Sequence, residues 1–146
     1  MTAPQAPAAP EALAALHARA FRDTRPWTAD EFAALLADPA CFLAARAEGF
    51  ALGRAVAGEA ELLTIAVAPE ARRAGHGRAL LAAFEAAARA AGARTAFLEV
   101  DAENAPALGL YLSNGYGESG RRKGYYRHAD GHRSDALVLS KALPAL

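Results

Sequence analysis

Apolar and polar positions alternate on two different periods along this chain, and each change of period marks an element. From Glu11 onward, Leu13, Leu16, Ala20 and Phe21 keep helical spacing and predict a first helix ending about Phe21. Pro26 disfavours helix at Arg25. Thr28 stands three residues before Glu31, the reciprocal pair of a capping box, and Phe32, Leu35 and Leu36 supply the stripe of a second helix that Asp38-Pro39 ends. Three strands are then expected, over 41–46, 50–57 and 61–68. Their turns, at Glu48-Gly49 and Gly58-Glu59, are short enough to require antiparallel hairpins. In the third strand Leu62, Leu63, Ile65 and Val67 form an almost continuous apolar run, which suits a strand covered on both faces, and Pro69 ends it.

Helical period returns with Leu80, Leu81, Phe84, Ala88 and Ala91 on one face, and Gly92 fits the C′ position. Residues 95–100 read as a strand, parallel to the third because a helix crosses between them. Asn104 is placed to cap a short helix from Ala105 to about Asn114, with Pro106 in its first turn and Gly115 after it. A last hairpin, near 116–122 and 135–143, closes around a basic loop. Residues 1–10, rich in Ala and Pro, read as a flexible tail, leaving 11–146 as a single domain.

Composition narrows the class. Of 146 residues 53% are apolar and 22% charged, which suits a folded domain rather than a disordered chain. Net charge is zero, so no global field draws the chain to nucleic acid or an anionic membrane, and direct binding to either is not expected. A single cysteine excludes an internal disulfide and fits a reducing cytoplasm; Cys41 reads as a small buried hydrophobe. The N-terminus lacks the basic start and apolar stretch of a signal peptide, so a cytoplasmic location is expected.

The candidate chemistry starts between the third strand and the long helix. Arg72-Arg73-Ala74-Gly75-His76-Gly77 sets two glycines one residue apart, beside arginines, at a helix start. Glycine admits an anion close to the backbone, and the unsatisfied N–H groups of the next helix point at it. The Rossmann fingerprint needs a small residue where Leu80 stands, and the P-loop needs Gly-Lys-Ser/Thr where Gly77-Arg78-Ala79 stands. Arg72-x-x-Gly75-x-Gly77 after Val67-x-Pro69 instead resembles the acetyl-CoA motif of the GNAT N-acetyltransferases. Phe97-Leu98-Glu99-Val100, then Asn104, Leu110-Tyr111 and Asn114-Gly115-Tyr116, is similar to the signature of the RimI-type bacterial ribosomal-protein-alanine N-acetyltransferases. Arg122-Lys123-Gly124-Tyr125-Tyr126 with Asp130-Gly131 and Ser134-Asp135-Ala136-Leu137 resembles their closing hairpin, and Ala20-Phe21 with Pro26-Trp27-Thr28 their segment after the first helix. Tyr116 in place of Phe, Ser134 in place of Glu and longer loops after Phe21 and Tyr126 depart from the pattern.

The resemblance implies an α/β (α+β) GNAT fold, a mixed and mostly antiparallel sheet of about six to seven strands with about four helices on its faces. It implies acetyl-CoA as cosubstrate and direct acetyl transfer to the N-terminal alanine of small-subunit ribosomal protein 18. Backbone groups of Ile65, Ala66 and Val67 would hold the pantetheine arm and thioester, and Arg73, Ala74, Gly75, His76, Gly77 and Arg78 the diphosphate. Asn104 would bond the pantetheine. Glu99 is the candidate general base, since a carboxylate in an apolar strand is costly unless partnered or wet, and Tyr111 the candidate acid toward the leaving thiolate. Trp27, Tyr125 and Tyr126 are candidate walls of the acceptor pocket. Rival readings are a GNAT enzyme for another N-terminus, a lysine or a small amine, and a non-catalytic acyl-CoA-binding or ribosome-associated module. Arg121, Arg122, Lys123, Arg127, His128, His132 and Arg133 read as a solvated hairpin tip. His128 and His132 have metal-ligand spacing but lack a third ligand in sequence, so no metal is expected.

Overall fold

The computed structural model describes residues 8–21, 25–72 and 74–145. Helix α1 (Pro10–Ala20) starts with Pro10 at N1, where its missing N–H is harmless, and buries Leu13, Leu16 and His17. Helix α2 (Ala29–Ala37) has the expected capping box. The Glu31 N–H donates to Thr28 Oγ1 and the Thr28 N–H to Glu31 Oε1, both at 3.1 Å.

Strands β1 (Cys41–Arg46), β2 (Gly49–Val56), β3 (Glu59–Val67), β4 (Thr95–Asp101), β5 (Gly117–Arg127) and β6 (Arg133–Ala142) form one sheet in the order β1-β2-β3-β4-β6-β5. All neighbours are antiparallel except β3 and β4, which helix α3 (His76–Ala90) connects. Helix α4 (Ala105–Ser113) follows β4, with Asn104 Oδ1 accepting from the Ala107 N–H as the predicted cap. Among the described residues no helix is long and apolar enough to cross a membrane.

Two apolar clusters sandwich the sheet. Leu13, Leu16 and Phe32 of α1 and α2 pack on Phe50, Leu52 and Ala66. On the other face Leu80, Leu81, Phe84 and Ala88 of α3 and Tyr111 of α4 pack on Ala60, Leu62, Ala96, Leu98 and Val100. Strand β3 contributes to both through a bulge. Leu52 opposes Thr64 and Gly53 opposes Leu62, so Leu63 is the extra residue. Leu62, Ile65 and Val67 therefore face α3, while Leu63 and Ala66 face α1 and α2. The apolar run reflects two half-buried faces exchanged at one point.

The closing hairpin is longer than its sequence pattern indicates. The predicted basic loop is mostly strand, because Lys123, Gly124 and Tyr125 bulge opposite Asp135, with Gly124 at φ +61°, and pairing resumes at Tyr126 and Ser134. As an edge strand, β5 is exposed at most positions, so it carries no apolar alternation to read.

Candidate active site

The site starts where the parallel ladder stops. Strands β3 and β4 pair only from Glu59–Thr95 to Glu61–Phe97. Beyond that pair β3 stays bonded to β2 through Val67, and β4 to β6 through Asp101. Among the described residues the edge of β3 that faces β4, carrying Ile65, Ala66 and Val67, has no strand partner over this stretch, so its peptide groups require another one.

Just past the end of β3 lies the glycine turn. Pro69–Ala71 forms a short 3₁₀ turn braced to α1. Arg72 donates to the Ala20 carbonyl at 2.7 Å and Arg19 pairs with Glu70. Arg73 lies outside the described residues. Gly75 is the N-cap of α3 in the left-handed region, φ +83°, where a side chain is strained. A Cβ on Gly77 would stand 3.3 Å from Leu110 of α4, so glycine there lets α4 lie close to the turn. Among the described residues no side chain caps α3, its first intrahelical bond runs from Ala79 to Gly75, and the His76, Gly77 and Arg78 N–H groups have no acceptor. The donor set, free amides at a positive helix end, suits a phosphate anion. Ala74 is exposed, and the His76 ring lies 3.6 Å from Glu48.

Glu99 lies on β4 two residues beyond the last β3–β4 pair, among alternating neighbours Leu98 and Val100 that are buried toward α3 and α4. It therefore faces the α1 and α2 side, is 26% exposed, and has Arg122 Nε 3.3 Å from Oε2. The position is both wet and partnered, the two conditions under which a carboxylate in an apolar strand is tolerated. Tyr126 joins it, its phenol pushed up to about 12 by burial and by the Glu99 and Asp101 charges. Tyr125 is exposed, set edge-on to Tyr126 at 5.2 Å and covered by the Arg122 guanidinium at 5.1 Å.

Tyr111 belongs to the opposite cluster, edge-on to Tyr116 at 6.0 Å, and burial pushes its phenol up to about 12. It follows Leu110, the residue that touches the cradle glycine. Asn104 is exposed; because its Oδ1 caps α4, the side-chain NH₂ is the group left to meet a ligand. Trp27 packs with α1 and α2 rather than with the hairpin tyrosines, stacked on His17 at 5.0 Å and tilted against Phe32 at 5.5 Å.

Two positions escape sequence reasoning. His17 accepts the Trp27 backbone N–H on Nδ1 at 3.4 Å amid Phe21, Trp27 and Phe32, and burial lowers its pKa to about 4, so a neutral imidazole orients the tryptophan. Gly49 opens β2 so close to β3 that a Cβ would fall 2.2 Å from the Ala66 carbonyl oxygen. The apolar stripe of the first helix passes over His17, and Gly49 looks like any turn glycine. Cys41 is no activated nucleophile; burial and Asp38 push its thiol up.

The family model described as "Acetyltransferase (GNAT) family" matches residues 10–116. The chain belongs to the GNAT acetyltransferase family. Its GNAT relatives include the [ribosomal protein bS18]-alanine N-acetyltransferase of Escherichia coli K12, 44% identical over 95 residues, which are 65% of this chain and 62% of that protein. The match therefore spans less than two thirds of that curated relative. The Salmonella typhimurium protein of the same name is 42% identical over 99 residues, 68% of this chain and 65% of its own. The crystal structure of the ribosomal-protein-S18-alanine N-acetyltransferase from Escherichia coli superposes with a TM-score of 0.79 at 32% identity, covering 91% of this chain and 86% of that one. The six-stranded mixed sheet with four helices is thus the GNAT fold expected from the sequence.

Proposed function

We propose that this GNAT domain transfers the acetyl group of acetyl-CoA to a protein N-terminal α-amine, the terminal alanine of small-subunit ribosomal protein 18 being the acceptor. The observation that carries the reading is the opening between β3 and β4. It is flanked by the uncapped glycine turn, and Glu99 stands just past the last paired residues. The acceptor follows from the names of the relatives matched over the central part of the chain.

Acetyl-CoA supplies the activated acyl group. The amides of 76–78, with Gly75 and Ala74, bind its diphosphate; the free edge of β3 at Ile65, Ala66 and Val67 binds the pantetheine amides, and the Asn104 NH₂ adds a donor at the mouth. A Val67 N–H directed at the thioester carbonyl would stabilise charge developing on that oxygen. Glu99 takes the proton of the incoming ammonium. An N-terminal amine, of reference pKa about 7.7 to 8.0, gives that proton up more readily than lysine at about 10.4. Arg122 competes with the ammonium for Glu99 and must give way. A tyrosine at about 12 is a weaker acid than a thiol near 8.5, so full proton transfer from Tyr111 is uphill. Its hydroxyl is better suited to donating a hydrogen bond to the developing thiolate. Transfer is direct, with no covalent enzyme species: the amine nitrogen bonds to the acetyl carbon, the C–S bond breaks, and the second amine proton passes to the leaving thiolate to give the coenzyme A thiol. Trp27, Tyr125 and Tyr126 bound the acceptor.

The test is intact mass and N-terminal peptide mapping of unmodified ribosomal protein 18 after incubation with enzyme and acetyl-CoA, beside alanine-led and internal-lysine peptides. One acetyl group on the terminal alanine is expected. Acetyl-CoA binding without transfer would overturn the acceptor assignment and leave the cradle.

A further inference from the structure

The turn of the β5–β6 hairpin brings together two imidazoles and a carboxylate that the proposed acetyl transfer does not use. His128 and His132 lie parallel, ring centroids 4.1 Å apart and 1° between planes. Glu103, from the turn between β4 and α4, completes the set, and the ligand atoms of the three all lie within 4.8 Å of one another. Glu103 Oε1 is 2.8 Å from His132 Nε2 and 3.8 Å from His128 Nε2, while Asp101 Oδ2 approaches His128 Nε2 to 3.3 Å. Donors around a tetrahedral zinc, with bonds of about 2.0–2.1 Å, lie about 3.3 Å apart, so these spacings bracket the edge of such a site. Parallel rings aim their in-plane lone pairs side by side, and the half-exposed His132 ring has to turn for both to meet one ion.

The surroundings are built as well. The hairpin turn is closed by the His128 N–H to the His132 carbonyl and the Gly131 N–H to the His128 carbonyl, each 2.9 Å, which fixes the two histidines opposite one another. His132 Nδ1 faces Asp130 Oδ1, the carboxylate partner that typically orients a metal-bound imidazole. Asp101 Oδ1 accepts the Glu103 N–H at 2.9 Å, which shapes the β4–α4 turn and leaves Oδ2 toward His128. Ser134 Oγ lies 2.7 Å from His128 Nε2. The third ligand that the sequence lacks near His128 and His132 comes from another turn.

We propose that Glu103, His128 and His132, with Asp101 beside them, bind one first-row divalent cation, zinc foremost, which clamps the hairpin tip to the β4–α4 turn. Mixed imidazole and carboxylate donors suit zinc better than calcium or magnesium, which take oxygen alone. The clamp joins the hairpin that bears Tyr125 and Tyr126 to the turn that bears Asn104. Its residues are separate from the cradle, Glu99 and Tyr111, so the site stands or falls independently of acetyl transfer.

The test is titration of tag-free, chelator-stripped full-length protein with zinc sulfate against a chromogenic chelator, with zinc-edge X-ray absorption of the product. One equivalent bound through two imidazoles and oxygen is expected. His128→Ala, His132→Ala and Glu103→Gln should each weaken binding by at least about ten-fold, Cys41→Ser should not, and all four should still bind coenzyme A, which shows that they fold. No saturable equivalent, equal affinity in the three ligand variants, or loss with Cys41→Ser would overturn the site. Should a histidine variant fail to fold, the exposed Glu103→Gln decides by itself.

Discussion

Arg122 on the edge strand sets its Nε 3.3 Å from Oε2 of Glu99 on β4, so the candidate base meets a cation of its own chain before any acceptor arrives. Glu99→Gln should lower kcat by about 10²- to 10⁴-fold, the usual range for a general base, with coenzyme A affinity unchanged by calorimetry. Arg122→Gln should act in the opposite sense on acceptor binding. Releasing an exposed pair worth about 0.5–1 kcal/mol lowers KM for an alanine-led peptide about 2- to 5-fold. A raised KM would mean that Arg122 binds the acceptor instead of competing with it.

Tyr111→Phe removes one hydroxyl from a buried ring. A hydrogen bond to a charged group contributes about 1.5–3 kcal/mol, which predicts a fall in kcat of about 10- to 100-fold. Acetyl donors with more acidic thiols need the bond less, so steady-state rates across such a series should converge on those of the parent. A constant deficit would place Tyr111 in packing.

Gly49→Ala drives a Cβ to 2.2 Å from the Ala66 carbonyl, which is backbone and can only move with its strand. Overpacking of this kind costs about 1–3 kcal/mol. Because the displaced segment is the free edge of β3, coenzyme A affinity should fall together with the denaturation midpoint. A stability loss with unchanged affinity would separate β3 from cofactor binding.

Burial holds His17 neutral, its pKa lowered from 6.5 to about 4. The unfolded chain therefore takes up the proton first as pH falls. The resulting stability is intact above about pH 6.5 and lost on the way down to about 4, up to about 3 kcal/mol in all. His17→Phe keeps the ring among Phe21, Trp27 and Phe32, and should flatten urea midpoints between pH 4.5 and 7. It also removes the acceptor for the Trp27 N–H, so peptide KM should rise while coenzyme A affinity holds.

Features set by neighbours in sequence were legible without coordinates. The Thr28 and Glu31 box, the Asn104 cap, Gly92 after α3 and the Gly75 turn each follow from a residue and its near neighbours. Features set by partners far along the chain were not. Nothing about Leu62 or Leu98 announces that the ladder opens after Glu61 and Phe97. The helical stripe of Leu13, Leu16, Ala20 and Phe21 says nothing of His17 or of its partner Trp27, ten residues on. His128 and His132 showed their spacing, but Glu103 lies twenty-nine residues before His132 and no local pattern joins them. The Glu99 position was read correctly as a strand, yet its wetness depended on which face of β4 the helices cover.

The extra residue in β3 acts as a phase shifter. Ahead of Leu63 the strand keeps one parity, with Ala60 and Leu62 toward α3; after it the odd positions Ile65 and Val67 take that side. Removing one residue here would leave hydropathy almost untouched. Loss of Leu63 itself would close the bulge and restore plain alternation, keeping Ile65 and Val67 toward α3 and Ala66 toward α1 and α2, so this is the one point where the strand can absorb a deletion. A deletion scan along β3 should therefore find Leu63 the best tolerated loss, while a residue removed beyond the bulge, between Ile65 and Val67, exchanges the faces that follow it and abolishes function.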